Sequence, residues 1–382
     1  MRILLGTVAQ RPALALTRTL ALALAASLVA APALAGPGPH HGSHPGPGPE
    51  APEWQVSVID ADQSFRGLDA VDRRTAWAAG SSVTGGAGKV YRTTDGGRSW
   101  RDVSPPGTEG LSLRDVEARD ARTAVVLAIG PGEDSRIFRT TDGGASWTET
   151  FRNTDESAFY NCLGFYPGGK RGLAVSDPVD GRFQILSTED GGRSWTRLPD
   201  DGMPASPLTE TGDPAEFNFS ASGDCLVVEG NDAWFGTGGE VSRIFHTRDR
   251  GRTWQATEST LPAGEAAGVF ALALRTPREG VAVGGDFGAE AGVPAASART
   301  RDGRRWTPSG ALAHLGEDAA WLSGARSTLI AVGESGPVGG SSLSRDGGRT
   351  WEQFSETAFH TLDCTDDGSC WAAGGRGRVG RL

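Results

Sequence analysis

The sequence contains very little lysine and no run of basic residues. Among its 37 basic residues only Lys89 and Lys170 are lysines, and the formal net charge is -10 at pH 7. A surface that binds nucleic acid needs clustered positive charge to neutralise phosphates. The charge pattern therefore argues against a nucleic-acid partner.

The chain also lacks the patterns of several enzyme and membrane classes. No Gly-x-Gly-x-x-Gly motif opens a helix in a βαβ unit, and no haem or flavin signature is present. There is no sustained 3.6-residue periodicity, and no stretch after residue 36 is apolar enough to span a membrane. We therefore predict no cofactor and no metal site, and we expect no oxidoreductase activity.

Residues 1–35 have the features of a secretory signal peptide. Arg2, Arg11 and Arg18 supply positive charge, TLALALAASLVA is a short apolar stretch, and APALAG offers a cleavage site after Ala35. Small residues and the following proline favour removal over an uncleaved anchor. The prediction is a secreted or periplasmic protein without a transmembrane helix after cleavage.

Residues 36–53 form a low-complexity linker rich in proline, glycine and histidine. Neutral imidazoles such as those of His40, His41 and His44 suit a transition metal. Nothing nearby would fix a coordination geometry, so a solvated tether is the favoured interpretation.

One short motif recurs along the rest of the chain, and we call it the box. Its copies are TTDGGRSW (93–100), TTDGGASW (140–147), TEDGGRSW (188–195), TRDRGRTW (247–254), the shorter TRDGRRW (300–306) and SRDGGRTW (344–351). They share the pairs Asp95 and Trp100, Asp142 and Trp147, Asp190 and Trp195, Asp249 and Trp254, Asp302 and Trp306, and Asp346 and Trp351. An interval of roughly 50 residues indicates one supersecondary unit per copy.

The segments around each box are typical of short strands. KVYRT precedes the first box and WRDVS follows it, while SFRGLDAVD and TAWAAG lie upstream. Four-stranded units that repeat in a circle describe a β-propeller. The predicted fold class is all-β, with four-stranded antiparallel blades.

The two ends of the region complete one more blade. Six boxes mark six blades, and the chain after the last box supplies three further strands. EWQVSVID supplies the fourth strand, with Trp54 at the tryptophan position. We predict a single domain over residues 54–382, a seven-bladed propeller whose last blade is closed by the N-terminal strand.

The box resembles the Asp-box of BNR repeats, S/T-x-D-x-G-x-T/S-W. This motif occurs in sialidases, sortilin-type receptors, some glucanases and the photosystem II assembly and stability factors. SFRGL and TTDGGRSW make the chain most similar to bacterial relatives of the last group. The resemblance implies a propeller over essentially the whole mature chain and an exported, assembly-factor-like protein, and it implies no particular activity.

We interpret the box aspartates as structural. Gly96 and Gly97 supply the positive φ that a tight hairpin loop needs, and an aspartate can accept hydrogen bonds from the amides of its own loop. The tryptophan then packs between neighbouring sheets. An enzyme needs one catalytic constellation rather than six, so repetition supports this interpretation.

A ligand site should lie where the units differ. The loops between second and third strands lie on the face opposite the boxes, called here the loop face. The candidates on these loops are Asp177, Asp180, Glu240, Asp286 and Glu334. Inner-strand candidates for the central channel are Arg66, Arg114, Asn161 and His360. Carboxylates suit acid–base work or a cation, and arginines suit an anion; the alternative is that these residues only solvate glycine-rich turns.

Specific enzyme interpretations receive little support. A sialidase would need a tyrosine nucleophile and usually an Arg-Ile-Pro start, but that start is absent and only Tyr91, Tyr160 and Tyr166 are available. Asp-box glucanases use two propellers, and this chain is too short for both. A glycosidase with another carboxylate pair stays open, because sequence cannot measure the separation of the carboxylates.

Four cysteines in an exported chain predict disulfides. Cys364 and Cys370 flank a hairpin turn, so a local bridge is expected. Cys162 and Cys225 fall on inner strands of adjacent blades and would join them; two buried thiols are the alternative.

Two functions therefore remain. The first is a monomeric, non-catalytic scaffold that holds a polypeptide or an assembling complex at the acidic loop face or in the channel. The second is a carbohydrate-active hydrolase or lyase that uses carboxylates at the channel mouth. The expected partner is accordingly a protein or a glycan, and the first function is favoured.

Overall fold

A computed structural model describes residues 52–290, 293 and 295–382. The predicted signal peptide, most of the linker and its three histidines lie outside these residues. The described part of the chain consists of β-strands, loops and three short 3-10 helices, Gly132–Asp134, Gly223–Cys225 and Gly375–Gly377. No helix within it is long and apolar enough to cross a bilayer.

The strands form antiparallel units in chain order. Their bounds are β1 (Gln55–Val58), β2 (Gln63–Ala70), β3 (Ala76–Ser82), β4 (Lys89–Thr93), β5 (Arg101–Asp102), β6 (Ser112–Ala118), β7 (Ala124–Pro131), β8 (Arg136–Thr140), β9 (Thr148–Arg152), β10 (Phe159–Phe165), β11 (Gly172–Val179), β12 (Arg182–Thr188) and β13 (Thr196–Arg197). They continue with β14 (Glu216–Phe217), β15 (Leu226–Glu229), β16 (Asp232–Gly236), β17 (Gly238–Gly239), β18 (Arg243–Thr247), β19 (Gln255–Glu258), β20 (Gly264–Thr276), β21 (Glu279–Asp286), β22 (Ser297–Thr300), β23 (Trp306–Pro308), β24 (Asp318–Trp321), β25 (Leu329–Gly333), β26 (Gly340–Ser344), β27 (Glu352–Ser355), β28 (Thr361–Cys364), β29 (Cys370–Ala373) and β30 (Arg378–Arg381).

Each unit begins with an inner strand and ends with an exposed outer strand. The sheet orders include β2-β3-β4-β5, β15-β16-β18-β19 and β24-β25-β26-β27, and the unit of β28, β29 and β30 takes β1 as its fourth strand. The inner strands contact one another in the sequence β2, β6, β10, β15, β20, β24, β28 and back to β2. They therefore form a closed ring, and the first and last strands of the domain lie in one sheet.

The burial of each strand agrees with its position in the unit. The second strand β7 reads AVVLAIGP and is buried except at its last residue, as expected for a strand covered on both faces. The outer strand β19 reads QATE and is exposed at both ends. The apolar core lies between neighbouring units, where side chains of adjacent sheets pack together.

The box loops close on their own side chains. Asp95 accepts the Ser99 backbone N–H at 3.0 Å and the Ser99 hydroxyl at 2.6 Å, while the Thr93 hydroxyl donates to Asp95 at 3.0 Å. Hydrogen bonds from the Ser99 hydroxyl and backbone lower the pKa of Asp95 to about 2. In the shorter copy Asp302 accepts the backbone N–H groups of Arg304 and Arg305 instead. The carboxylates are thus occupied within their own loops.

Box loops also lie against the turns between first and second strands. The Gly96 N–H donates to the Arg74 carbonyl at 2.9 Å, and the Gly143 N–H donates to the Arg122 carbonyl at 2.8 Å. One end of the channel is therefore surrounded by these turns and the boxes, and we call it the box-side mouth. The loop face lies at the other end.

Both predicted cysteine pairs are present as disulfides. Cys364 and Cys370 are opposite one another in the β28–β29 hairpin, with Cα atoms 4.1 Å apart. Cys162 on β10 and Cys225 in the second 3-10 helix have Cα atoms 6.0 Å apart and join two neighbouring units.

The two disulfides are expected to stabilise the fold unequally. They close chain segments with sequence separations of 63 and 6 residues, which loop-closure entropy converts to about 4 and about 2 kcal/mol. Denaturant titration should therefore show a larger loss for Cys162→Ala/Cys225→Ala than for Cys364→Ala/Cys370→Ala. Repeating both titrations with reductant separates the bridge from the packing of the side chains, and equal losses under oxidising conditions would contradict the expectation.

Candidate functional site

A buried carboxylate, Glu317, organises the loop-face end of the channel. Its side chain has 0% exposure and accepts from Arg66 Nη1 at 2.8 Å and from the Ser335 N–H at 2.7 Å. Nδ1 of His360 lies 3.1 Å from Glu317 Oε2. Burial acts to raise the pKa of Glu317, but His360 and Arg66 outweigh it and lower the pKa overall. Glu317 is therefore a charged, fully buried hub.

Two guanidinium groups cross the channel beside this hub. Arg114 donates from Nη1 to the Ser220 carbonyl at 2.8 Å, and Arg66 donates to the next carbonyl, Ala221, at 2.8 Å. Both side chains thus reach from β6 and β2 to the segment before the second 3-10 helix. Burial, together with repulsion from Arg66, lowers the pKa of Arg114 to about 9. These bonds tie the segment at Ser220 and Ala221 to the inner strands β6 and β2.

Asn161 on β10 and Asp177 on β11 are hydrogen-bonded to each other. Asn161 Nδ2 donates to Asp177 Oδ1 at 2.8 Å, and the Asn218 backbone N–H donates to the same oxygen at 2.9 Å. Burial nevertheless raises the pKa of Asp177 to about 7. Asp177 thus holds the segment at Asn218 against β10 and β11.

Glu334 joins the same end of the channel. It accepts from Arg378 at 2.5 Å and from the Gly375 N–H at 2.8 Å, and its Oε2 lies 3.7 Å from His360 Nε2. The structure therefore brings Arg66, His360 and Glu334 together around Glu317.

Asp180, Glu240 and Asp286 do not join this group. Asp180 is exposed in the β11–β12 turn at φ 52, and Glu240 is exposed after β17. Asp286 accepts the Gly288 N–H of its own loop at 2.7 Å and borders a separate cavity of about 210 Å³ with His314. Within the described residues none of the three carboxylates bonds to Glu317 or its partners.

A second set of carboxylates lies on the inner strands, and sequence reasoning did not select it. Each member accepts a backbone N–H from the neighbouring inner strand, and we call the set the linking carboxylates. The bonds are Asp69 to Ala118 (2.6 Å), Asp115 to Leu163 (2.7 Å), Asp318 to Leu362 (2.8 Å) and Asp363 to Ala70 (2.8 Å). These hydrogen bonds join the inner strands of neighbouring units around the channel.

Burial keeps the linking carboxylates uncharged to a higher pH than usual, and repulsion from other carboxylates adds to this effect for Asp69 and Asp115. Burial raises the pKa of Asp115 to about 8 and that of Asp318 to about 7. Burial, followed by repulsion from Asp363, raises the pKa of Asp69. A signal for this set was present in the sequence, since an acidic residue interrupts the apolar inner strands in GLDAV, RDVEA and TLDCT, where a charge is rarely buried without a partner.

A cavity of about 760 Å³ opens at the box-side mouth. Its lining includes the acidic residues Glu117, Asp224 and Asp363 and the half-buried apolar residues Trp321 and Leu322. Burial raises the pKa of Glu117 and of Asp224, and neighbouring carboxylates add to the effect. In the described ranges no group of three or more His, Cys, Asp or Glu is arranged to hold a metal ion.

No family model and no curated protein matches the chain. Solved structures match its fold. YCF48 bound to a D1 peptide aligns with a TM-score of 0.56 at 15% identity, over 86% of this chain and 94% of that chain. The GH74 xyloglucanase from Xanthomonas campestris aligns with a TM-score of 0.58 at 15% identity, over 86% of this chain and 53% of that chain. The WD40 beta propeller domain of Doa1 aligns with a TM-score of 0.50 at 12% identity, over 86% and 96%.

At these identities the similarity concerns the fold. Together with the ring of inner strands, it defines an all-β protein of the propeller kind, built from antiparallel sheets around a polar channel.

Proposed function

We propose that the protein is an exported binding scaffold that holds a polypeptide or an assembling complex in its central channel. The observation that carries the proposal is the cavity of about 760 Å³ at the box-side mouth, where carboxylates and apolar side chains lie side by side. A groove of mixed polar and apolar lining suits a polypeptide segment. The bound peptide of the YCF48 structure supports a protein ligand for a propeller of this shape.

We further propose that the sheets are seven blades with Asp-boxes of the BNR kind, that the protein is a monomer, and that it acts outside the cytoplasm. The closed ring of inner strands and the pairing of β1 with β30 support the blade count. Two disulfides are consistent with an oxidising compartment. Cleavage after Ala35 is part of this proposal.

The test is capture of partners by the immobilised mature protein from an extracellular or periplasmic extract. Ala325→Trp, at the half-buried residue of an exposed turn that lines the box-side cavity, should weaken capture because the indole obstructs the mouth. The matched control is Ala289→Trp in the separate cavity on the loop face, which should leave capture unchanged. Loss only with Ala289→Trp would move the site to the acidic loop face, and no specific capture would reject the scaffold.

The second candidate is a glycan hydrolase or lyase. It is favoured by the similarity of the fold to a GH74 xyloglucanase, and burial raises the pKa of Asp177 to about 7, which suits a general acid near neutral pH. Hydrolysis of a glycan that is lost in Asp177→Asn or in Asp286→Asn would establish it against the scaffold.

A further inference from the structure

The seam between the last unit and the first contains a small cavity, which we call the seam cavity. Its volume is about 170 Å³, and its lining includes Ser57 on β1, Trp100 of the first box, Trp371 on β29 and Arg381 on β30. It is formed where the two ends of the domain meet, so its wall is built from β1 rather than from a strand that follows a box.

The next seam provides an internal comparison with the same set of residues. In the seam cavity Arg381 pairs with Trp371 across the two strands, and its guanidinium carbon lies 5.3 Å from the centre of the Trp371 ring. The Trp371 ring packs edge-on against that of Trp100, with ring centres 5.9 Å apart. In the following seam Arg92 lies opposite Trp77 and over its ring at 5.3 Å, and Trp77 packs edge-on against Trp147 at 6.4 Å.

The two seams differ in whether the indole N–H of the box tryptophan has a hydrogen-bond acceptor. Trp147 donates its indole N–H to the Val103 carbonyl at 2.7 Å. The indole N–H of Trp100 is buried and has no acceptor among the described residues. Trp195 and Trp306 share that lack, but the Trp100 indole additionally borders the seam cavity and Arg381.

A single residue accounts for the open space. Val103 follows β5 and pairs with Val90, whereas Ser57 pairs with Val379 at the same place beside β30. A methyl group on Gly144 would come within 2.5 Å of Val103, so the valine fills its seam. At the matching Gly97 the nearest atoms belong to Trp371 and Trp100, and β1 contributes none.

The charged group of the seam cavity is the guanidinium of Arg381, which can only donate. Arg381 uses Nη1 for the Gly96 carbonyl at 3.3 Å, and it has no acidic partner among the described residues. A guanidinium binds a carboxylate through charge-assisted hydrogen bonds. We propose that the seam cavity is a binding site for a carboxylate group, which accepts from Arg381 beside the ring of Trp100.

The test follows indole N–H resonances of the full chain by ¹⁵N–¹H NMR during titration with acetate, and separately with a terminally blocked Gly-Glu-Gly peptide. Trp100→Phe assigns the resonance. Both probes should shift the Trp100 signal saturably, while the Trp147 signal and a chloride titration at equal ionic strength show no such change. Binding of the peptide at least tenfold tighter than that of acetate would identify an acidic side chain of a polypeptide as the source; equal binding would identify a free carboxylate.

Two variants and one matched control decide the assignment. Ser57→Val, which copies the neighbouring seam, should abolish the shift, and Arg381→Gln should weaken binding by about tenfold or more. Arg92→Gln removes the equivalent arginine of the closed seam and should leave binding unchanged. No saturable shift with either probe, or a shift that persists in Ser57→Val or Arg381→Gln, would overturn the proposal.

Discussion

Replacing Glu317 with alanine is expected to lower the free energy of unfolding by about 3–5 kcal/mol. The carboxylate is fully buried, and it is bound by Arg66, by His360 and by the backbone N–H groups of Glu334 and Ser335. Its removal leaves a guanidinium, at 17% exposure, without its acidic partner. Denaturant titration of the wild type and the variant measures the loss.

Two further variants test the cause. Glu334→Ala removes a carboxylate with 21% exposure and should cost about 1 kcal/mol. Glu317→Gln keeps an acceptor for the Ser335 N–H but removes the charge, so its loss should lie between the other two. A loss for Glu317→Ala no larger than that for Glu334→Ala would show that the hub does not depend on charge.

The Glu317 carboxyl should stay ionised between pH 5 and 8. The pKa of Glu317 is lowered in the folded state, so its stabilisation is present above the unfolded pKa and is lost only as the pH falls through the folded value. That window lies below pH 5, which distinguishes Glu317 from the linking carboxylates.

The arrangement of strands could be predicted because the boxes carry local chemistry. Asp95, Gly96 and Gly97 specify a loop from their own side chains and φ values, and such signals survive without knowledge of the rest of the fold. The strand pairing of residues 199–239 could not be predicted from the sequence. There β14 and β17 pair with the sheet of β20 rather than with the unit in which they lie along the chain. That pairing is decided by tertiary packing.

The candidate site was predicted only in part for a related reason. Arg66, Asn161 and His360 were placed by strand position, and strand position fixes which side chains face inward. Asp180 and Glu240 were placed by loop composition, which does not fix where a side chain points. Glu317 follows Gly316 and immediately precedes β24, and its importance rests on Arg66, a partner 251 residues away in the sequence.

The two halves of the channel use opposite electrostatic solutions. At the loop face Arg66 compensates a buried carboxylate, which stays charged. Toward the box-side mouth burial raises the pKa of both Asp69 and Asp363, and repulsion from Asp363 adds to the rise for Asp69. The second solution makes stability depend on pH in a direction opposite to ordinary acid denaturation.

The protein is therefore expected to be more stable at pH 5 than at pH 8.5, by ~3 kcal/mol or more. The folded-state pKa is about 8 for Asp115 and about 7 for Asp177 and Asp318, against 3.8 in the unfolded chain. A raised pKa gives stability that is complete below the unfolded value and is lost as the pH rises through the folded value. Thermal and denaturant unfolding across this range measures the difference.

Other titrating groups set a lower pH limit to this trend, but they do not reverse the fall in stability between pH 5 and pH 8.5. Burial lowers the pKa of His246 and of His314. The folded state therefore loses the stability that these two neutral side chains contribute as the pH falls below about 6.5. The hydroxyl of Ser99 holds the pKa of Asp95 at about 2, so the box loops weaken only below about pH 4. The carboxylates with raised pKa outnumber the two histidines, and the stability maximum should lie near pH 5.

Asp318→Asn separates this cause from a general charge effect. The amide oxygen can still accept the Leu362 N–H, but the NH2 group replaces the oxygen that accepts the Ala319 N–H, and the side chain no longer ionises. The stability of the variant relative to the wild type should therefore be higher at pH 8.5 than at pH 5. Asp180→Asn is the matched control, because it removes an equal charge from an exposed turn whose positive φ asparagine tolerates. Its effect should be small and the same at both pH values. A wild type that is equally stable at pH 5 and 8.5, or an Asp318→Asn variant with the same effect at both pH values, would mean that Asp318 is already charged in the folded protein at pH 5 and that burial does not raise its pKa.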